Sequence, residues 1–363
     1  MMRGRSRMNH VKTGPVFLKS FRELPEVLEQ ELPIQKNRVM LVGDTNTIPL
    51  YGEAVASELR RVFREVGMFA FEAGEEHKTL DSVKSLLAYL IDSRYDRKDC
   101  IAALGGGVVG DMAGFAASIF LRGIPVIQIP TSLLAQIDSS IGGKTGVDFD
   151  GYKNMIGAFH MPALVCTCPA ALATLPEEQF RAGMGEVVKS ALLADADLCG
   201  YLVSHAEEIR NRDEDVLFEM IRRTCAIKAE IVRRDPTEQG ERALLNLGHT
   251  IGHAVEKACH FSRLHGECVG IGLNAAAYMS LRRGMISEEE YQGILHMCAL
   301  FGIPDSISGL TEEEILRNTK SDKKMAAGQI RFILLEKPGR AYIADDVTDE
   351  EMLCGIRRIL QKE

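Results

Sequence analysis

The chain has 363 residues with a formal charge of −8, and its 46% hydrophobic and 26% charged content is that of a globular protein with room for one or two sizeable cores. The acidic balance argues against nucleic acid as a partner, so a local cluster of Lys and Arg points to a small anionic ligand instead. No run of about 18 uncharged apolar residues suggests a membrane span or a membrane partner, and nine scattered cysteines, an odd number with no CxxC pair, imply reduced thiols and a cytoplasmic setting.

The first dozen residues, Met1 to Lys12, are basic and polar without the apolar stretch of a secretory signal. Val39-Met40-Leu41-Val42 predicts a strand, followed by a turn at Gly43 to Asn46 and a helix from about Leu50 to Val66. Met68 to Phe71 predicts a second strand and Leu80 to Ile91 a second helix. Ile101 to Leu104 is a third strand, running into Gly105-Gly106-Gly107, and Val126 to Ile129 a fourth, ended by Pro130. Strands alternating with helices imply an α/β domain with a mainly parallel sheet covered on both faces. Beyond about residue 180 amphipathic helical patterns dominate, as at Val216 to Arg233 and Glu267 to Arg283. Strand-like runs are then confined to Ile330 to Leu335 and Ala341 to Ile343. The expected boundary lies near Gln179, with an α/β domain over 1–179 and a mainly α-helical domain over 180–363.

Gly105, Gly107 and Gly110 satisfy a G-x-G-x-x-G spacing between a strand and a helix, where backbone amides can approach a pyrophosphate. The context departs from a standard dinucleotide fold, because this is not the first strand and the next one ends in Pro130-Thr131-Ser132 without a ribose-binding acid. Four of the nine histidines, His249, His253, His260 and His265, fall within 17 residues. His249 and His253 are four apart and share a helix face, as metal ligands do; His265, Glu267, Glu256 and Glu186 are all candidates for a third ligand. The stretch Asp138-Ser139-Ser140-Ile141-Gly142-Gly143-Lys144-Thr145 is similar to the end of a Walker A loop, but Asp138 stands where that motif needs its first glycine. It reads instead as a flexible loop whose amides, hydroxyls and lysine suit a phosphate. Lys189, Lys228 and Arg242, each alone an ordinary surface charge, lie near the candidate metal residues in sequence.

Taken in order, these segments resemble the 3-dehydroquinate synthase family, one of the sugar-phosphate cyclases. The resemblance rests on Gly105 to Arg122, Ile129 to Val147, Lys153 to Phe159, Thr174-Leu175-Pro176, Gly185 to Lys189, Cys225 to Glu230, Arg242 to His253, His265-Gly266-Glu267 and Asp322-Lys323-Lys324. It implies a Rossmann-like N-terminal domain that binds NAD, a helical C-terminal domain for metal and substrate, and an active site in the cleft between them. The metal, Zn2+ or Co2+, would be held by Glu186, His249 and His265. NAD would meet Asp44, Asn46, Glu75, Lys78, the turn Gly106-Gly107-Val108 through Asp111, Thr131, Ser132, Lys144, Lys153 and Thr174. The carboxylate of a sugar-acid phosphate would meet Lys189, Lys228, Arg242 and Asn246. Its phosphate would meet Lys144, Asn154 and Lys324, with Arg122 reaching across from a second subunit of a homodimer. Asp138, Lys144, Asn154 and His253 would assist proton movements.

The implied reaction converts 3-deoxy-D-arabino-heptulosonate 7-phosphate to 3-dehydroquinate and phosphate. Its steps are transient oxidation by NAD, phosphate elimination, re-reduction and intramolecular aldol closure. This chain has Ser132 for a common Thr, Cys168 for a common Asp and Gly185 for a common Ala, and an altered stretch from Asp235 to Glu241 that keeps Glu238. A sibling cyclase would differ in the substrate-reading residues. An alcohol or glycerol dehydrogenase of related architecture would form NADH in net amount. A silent NAD-binding regulator would lack metal affinity.

Overall fold

The computed structural model describes residues 14–323 and 331–361. They divide into two compact units: Thr131–Ser139 groups with the residues from Pro169 onward, and the remaining residues up to Cys168 form the other.

The first unit contains β1 (Val16–Phe17), α1 (Leu24–Glu31), β2 (Arg38–Asp44), α2 (Glu53–Leu59), β3 (Glu65–Phe71), α3 (Leu80–Asp92), β4 (Cys100–Gly105), α4 (Gly107–Ile119), β5 (Val126–Pro130), β6 (Lys144–Phe149), β7 (Tyr152–Phe159) and β8 (Leu164–Thr167). Six strands form one parallel sheet in the order β1-β8-β5-β4-β2-β3. The interior strands are mostly apolar because both faces are covered, and alternate residues go to opposite sides. Met40, Val42, Ile101, Ala103 and Val126 pack with Val83, Leu86 and Leu90 of α3 and Met112 and Ala116 of α4. Val39, Leu41, Ala102, Leu104, Ile127 and Ile129 pack on the other side with Leu24 and Leu28 of α1 and Val55 and Leu59 of α2. The order reverses between β2 and β4, so the carboxyl ends of these neighbours open a crevice of the kind where α/β sheets bind ligands. Asp44 ends β2 and Gly105 ends β4, and the Thr47 hydroxyl ties the two ends by donating to the Leu104 carbonyl at 3.0 Å.

Three expectations need correction here. The helix predicted to run to Val66 stops at Leu59, because Glu65 onward pairs with Arg38 onward as β3. β1, β6, β7 and β8 were not foreseen. The stretch read as a flexible phosphate loop is instead a turn of π-helix at Ala135–Ser139, a buried link and the start of β6. β6 pairs antiparallel with β7. Asp150 (φ 51°) and Gly151 (φ 77°) make the turn between them with both central residues left-handed, the geometry for which Asp-Gly is favoured.

The second unit comprises α5 (Glu177–Ala194), α6 (Ala196–Ser204), α7 (Ala206–Arg210), α8 (Glu214–Arg234), α9 (His249–Ala258), α10 (His265–Arg282), α11 (Glu288–Leu300), α12 (Glu312–Lys323), an antiparallel pair β9 (Phe332–Lys337) and β10 (Arg340–Ala344), and α13 (Asp349–Ile359). It is mainly helical, as expected. α10 runs through its centre against α5, α9 and α13, with Cys268 to Ala277 buried. Its first turn meets α5 backbone to backbone: a Cβ on Gly185 would stand 2.3 Å from the Gly266 carbonyl oxygen, and one on Gly266 1.8 Å from the Ala182 oxygen. That closeness sets Glu186 beside His265, each next in sequence to one of the glycines.

Gly266→Ala therefore forces the two helices apart. It is expected to lower unfolding free energy by about 1–3 kcal/mol, read as a lower urea midpoint at unchanged slope.

Candidate functional site

In the first unit the sheet crevice gathers most of the residues expected at the nucleotide. The Asp44 carboxylate accepts hydrogen bonds from the Asn46 and Thr47 amides at 3.0 and 2.7 Å, which fixes the turn after β2. Gly106 caps α4 without a side-chain acceptor, so the amides of the first turn remain for a ligand anion. Lys78 is 4% exposed and bridges Asp111 at 2.7 Å and the Asn154 side-chain oxygen at 2.6 Å. Burial opposes its charge, but Asp111 and Glu75 outweigh burial and raise its pKa. Lys153 lies 3.8 Å from Glu75. Asn154 sits in the left-handed region at φ 53°, its amide bonded to the Asp148 carboxylate at 2.7 Å. Lys144 and Arg122 are exposed, Arg122 in a turn where Leu121, Arg122 and Gly123 all have positive φ. Thr131, Ser132 and Thr174 fall in the second unit: Thr131 is buried, the Ser132 hydroxyl accepts from the Ala135 amide at 3.2 Å, and Thr174 is exposed. Lys324 lies outside the described residues.

The second unit builds a charged cluster from five elements. α5 supplies Glu186 and Lys189, three apart on one face and each about 1% exposed. α8 supplies Lys228, the turn at Ala135–Ser139 supplies Asp138, α9 supplies His249 and His253, and α10 begins with His265. The Lys189 ammonium is 2.5 Å from Glu186 and 4.0 Å from Asp138, and Lys228 is 2.7 Å from Asp138. Glu186 Oε1 is 3.4 Å from His249 Nε2 and 3.3 Å from His265 Nε2. His253 is exposed on the rim, and donor atoms of the three histidines lie within 4.8 Å of one another. Arg242 is 2% exposed and donates to the Pro236 carbonyl at 2.7 Å, with Asn246 half-buried at the end of its 3-10 turn. Of the other candidate ligands, Glu267 pairs with Arg181 at 2.7 Å, and Glu256 stands behind His265, with its Oε2 3.3 Å from Nδ1. A single-face pattern on α9, with Glu256 seven residues after His249, was the signal that this carboxylate belongs to the same cluster.

The electrostatics separate the members. Burial opposes the Glu186 charge, but Lys189 and the two histidines hold its pKa well below the usual carboxylate range. Asp138 is likewise depressed, with Lys228 and Lys189 overcoming burial. Burial pushes His249 down to about 3 against the pull of Glu186. His265 feels the same burial, but its bonds to Glu186 and Glu256 outweigh it and raise it to about 10. Lys228 is lowered, chiefly by burial.

The residues fit a divalent cation. Both Glu186 oxygens are buried; one lies beside the Lys189 ammonium, and two imidazole nitrogens converge on the other. One carboxylate and two imidazoles form a donor set for zinc or cobalt that leaves positions open for substrate.

A Rossmann-like sheet with a nucleotide crevice, joined in one chain to a helical unit carrying this donor set, defines a nucleotide- and metal-dependent class of enzyme. The model of the 3-dehydroquinate synthase N-terminal region matches residues 68–182, and that of the C-terminal region matches residues 183–325. The 3-dehydroquinate synthase of Acetivibrio thermocellus is 41% identical over 87% of this chain and 88% of its own length, and that of Nitrosospira multiformis is 43% identical over 86% of each. The chain belongs to the 3-dehydroquinate synthase family. A solved 2-epi-5-epi-valiolone synthase from Streptomyces hygroscopicus, with NAD+ and Zn2+ bound, superposes with a TM-score of 0.88 at 28% identity over 98% of both chains. A 2-deoxy-scyllo-inosose synthase complexed with carbaglucose-6-phosphate, NAD+ and Co2+ gives 0.81 at 25% identity, covering 94% of this chain and 95% of its own. The glycerol dehydrogenase of Schizosaccharomyces pombe, at 14% identity and 0.67, shares the fold.

The depressed Glu186 pKa has a pH signature. Its stabilisation is complete above the unfolded value of about 4.3 and is lost as pH falls through the lower folded value. In chelator-treated protein, Glu186→Gln is therefore expected to reduce the acid-side slope of stability against pH, measured by urea unfolding at successive pH values below about 5.

Proposed function

We propose that this chain is a 3-dehydroquinate synthase, releasing phosphate from 3-deoxy-D-arabino-heptulosonate 7-phosphate and closing the carbocycle of 3-dehydroquinate. The observation that carries the reading is the buried cluster in which Glu186, His249 and His265 converge beside Lys189, Lys228 and Asp138. A neutral alcohol substrate would not need two lysines there; a hydroxylated carboxylate does.

In this reading NAD lies on the Asp44, Glu75, Lys78 and Gly106–Asp111 surface, and Glu186, His249 and His265 hold Zn2+ or Co2+. When bound, the nucleotide supplies a reversible hydride acceptor and the ion a Lewis acid for the substrate hydroxyls. The chain's own residues then hold, orient and move protons. Lys189, Lys228 and Arg242, with Asn246, neutralise the substrate carboxylate in a poorly hydrated site, where such charge pairs count for more than in water. Asp138 keeps the two lysines at fixed separation. Lys144, Asn154 and Lys324 take the phosphate and Arg122 joins them from a second copy in a homodimer; the phosphate leaves with its bonding electron pair as the adjacent carbon gives up a proton, and the carbon that carried it later attacks the ketone in the aldol closure. His253, exposed beside His249 and His265, is placed to move the proton of a reacting hydroxyl. Holding a dianion and a carboxylate fixed also brings the later aldol partners together. Among the described residues no helix is long and apolar enough to cross a membrane, and none of the nine cysteines is joined in a disulfide; the reading places the enzyme in the cytoplasm.

The assay is phosphate release from the heptulosonate phosphate with NAD and zinc, while absorbance reports NADH. Phosphate should appear without accumulating NADH and should stop on adding a chelator. NADH rising with turnover would mean a dehydrogenase, and no phosphate would point to a sibling cyclase. His253→Ala should lower kcat by about a hundredfold or more with little change in KM; an unchanged kcat would remove His253 from proton transfer.

A further inference from the structure

Glu256 is a buried carboxylate that the proposed chemistry leaves unused. It is 3% exposed on α9, amid Ile251, Ala254, Val255 and Cys268, all buried. An ionised group in such surroundings is retained only where a partner offsets its lost hydration. Its Oε2 lies 3.3 Å from Nδ1 of His265, whose Nε2 is 3.3 Å from Glu186 on the other side of the ring. His249 is held differently: its Nδ1 lies 3.1 Å from the Leu247 carbonyl oxygen, and its Nε2 faces the same Glu186 oxygen.

We infer that Glu256 is a positioning residue for the metal site: by accepting a hydrogen bond from Nδ1 of His265, it fixes the ring's orientation and tautomer so that the Nε2 lone pair faces Glu186. The inference rests on the reading that Glu186, His249 and His265 hold a divalent ion. Glu256 is not itself a ligand in this arrangement, because the imidazole ring stands between its carboxylate and the convergence point. The two imidazoles differ in what backs them. A carboxylate behind His265 makes it a stronger electron donor than His249, which has only a neutral carbonyl. The geometry explains why a charge is kept seven residues along α9 from His249: the same helix face that presents His249 and His253 carries the support for the third imidazole, contributed by α10.

The test is zinc affinity of the chelator-stripped full-length protein, measured by competition with a chromophoric chelator. Wild type, Glu256→Gln, Glu256→Ala, His265→Ala and the His265→Ala/Glu256→Gln double variant are compared. Glu256→Gln keeps the shape and an acceptor oxygen, so it should weaken zinc about tenfold, and Glu256→Ala by up to about a hundredfold. On the His265→Ala background Glu256→Gln should add no further loss. Wild-type affinity in both single variants overturns the inference while leaving the metal site intact. An undiminished effect of Glu256→Gln without the His265 imidazole also overturns it. Failure of wild type to bind zinc would overturn the metal reading and the inference with it. If Glu256→Ala does not fold, judged by circular dichroism in chelator, Glu256→Gln and the double variant decide.

Discussion

Glu186 is the constraint to which the second unit is fitted. A carboxylate 1% exposed has lost nearly all its water, and isolated burial of that kind would cost many times a protein's net stability. Four other elements converge on this position. Lys189 comes from the same helix, His249 from α9 and His265 from α10, while Asp138 and Lys228 extend the alternation of charge outward. The glycine contact between α5 and α10 is what makes the approach possible. A bulkier pair at residues 185 and 266 would leave the carboxylate facing its imidazoles across a wider gap, where neither could replace the lost hydration.

The first unit solves a different problem with simpler means. Its strands are apolar on both faces, so helices must cover both, and the chain must change direction across the sheet to provide them. That reversal leaves β2 and β4 as neighbours with their loops diverging. Asp44 and the Gly106 turn then share a crevice without any residue having been strained to meet the other. Lys78 closes one side by engaging Asp111 and Asn154 together, linking a helix start to the β6–β7 hairpin.

The interior strands were legible because continuous apolar runs bounded by Gly and Pro have little other use in a charged chain. The overrun of the helix after Leu50 has a local cause: Val62, Phe63 and Val66 continue its apolar spacing, but Phe63 is buried in the turn and Val66 pairs within the sheet. β1 is two residues long, too short to show any period. The β6–β7 hairpin went unread, although Asp150-Gly151 marks its turn, because the glycines before it fit a phosphate loop. In the site, the spacing of His249 and His253 announces a shared helix face, and the structure bears that out. No local pattern could join Glu186 to His265, because only the packing of α5 on α10 makes them neighbours. Family resemblance supplied that pair; spacing alone left Glu256 as one more candidate ligand, because it cannot tell which side of an imidazole a carboxylate will occupy.

The excursion of Thr131–Ser139 into the second unit has a consequence for biogenesis. Asp138 precedes Lys228 by 90 positions, so on the ribosome it leaves the exit tunnel well before its cation is made. Until α5 and α8 bring Lys189 and Lys228, that segment lacks the cations its carboxylate meets in the folded unit, and the sheet must go on to β8 with it still waiting. Neither unit is one uninterrupted stretch of polypeptide. A gene cut at a single point would therefore yield no fragment containing one whole unit and nothing else, and the two halves of the chain are bound to mature as a single translational product.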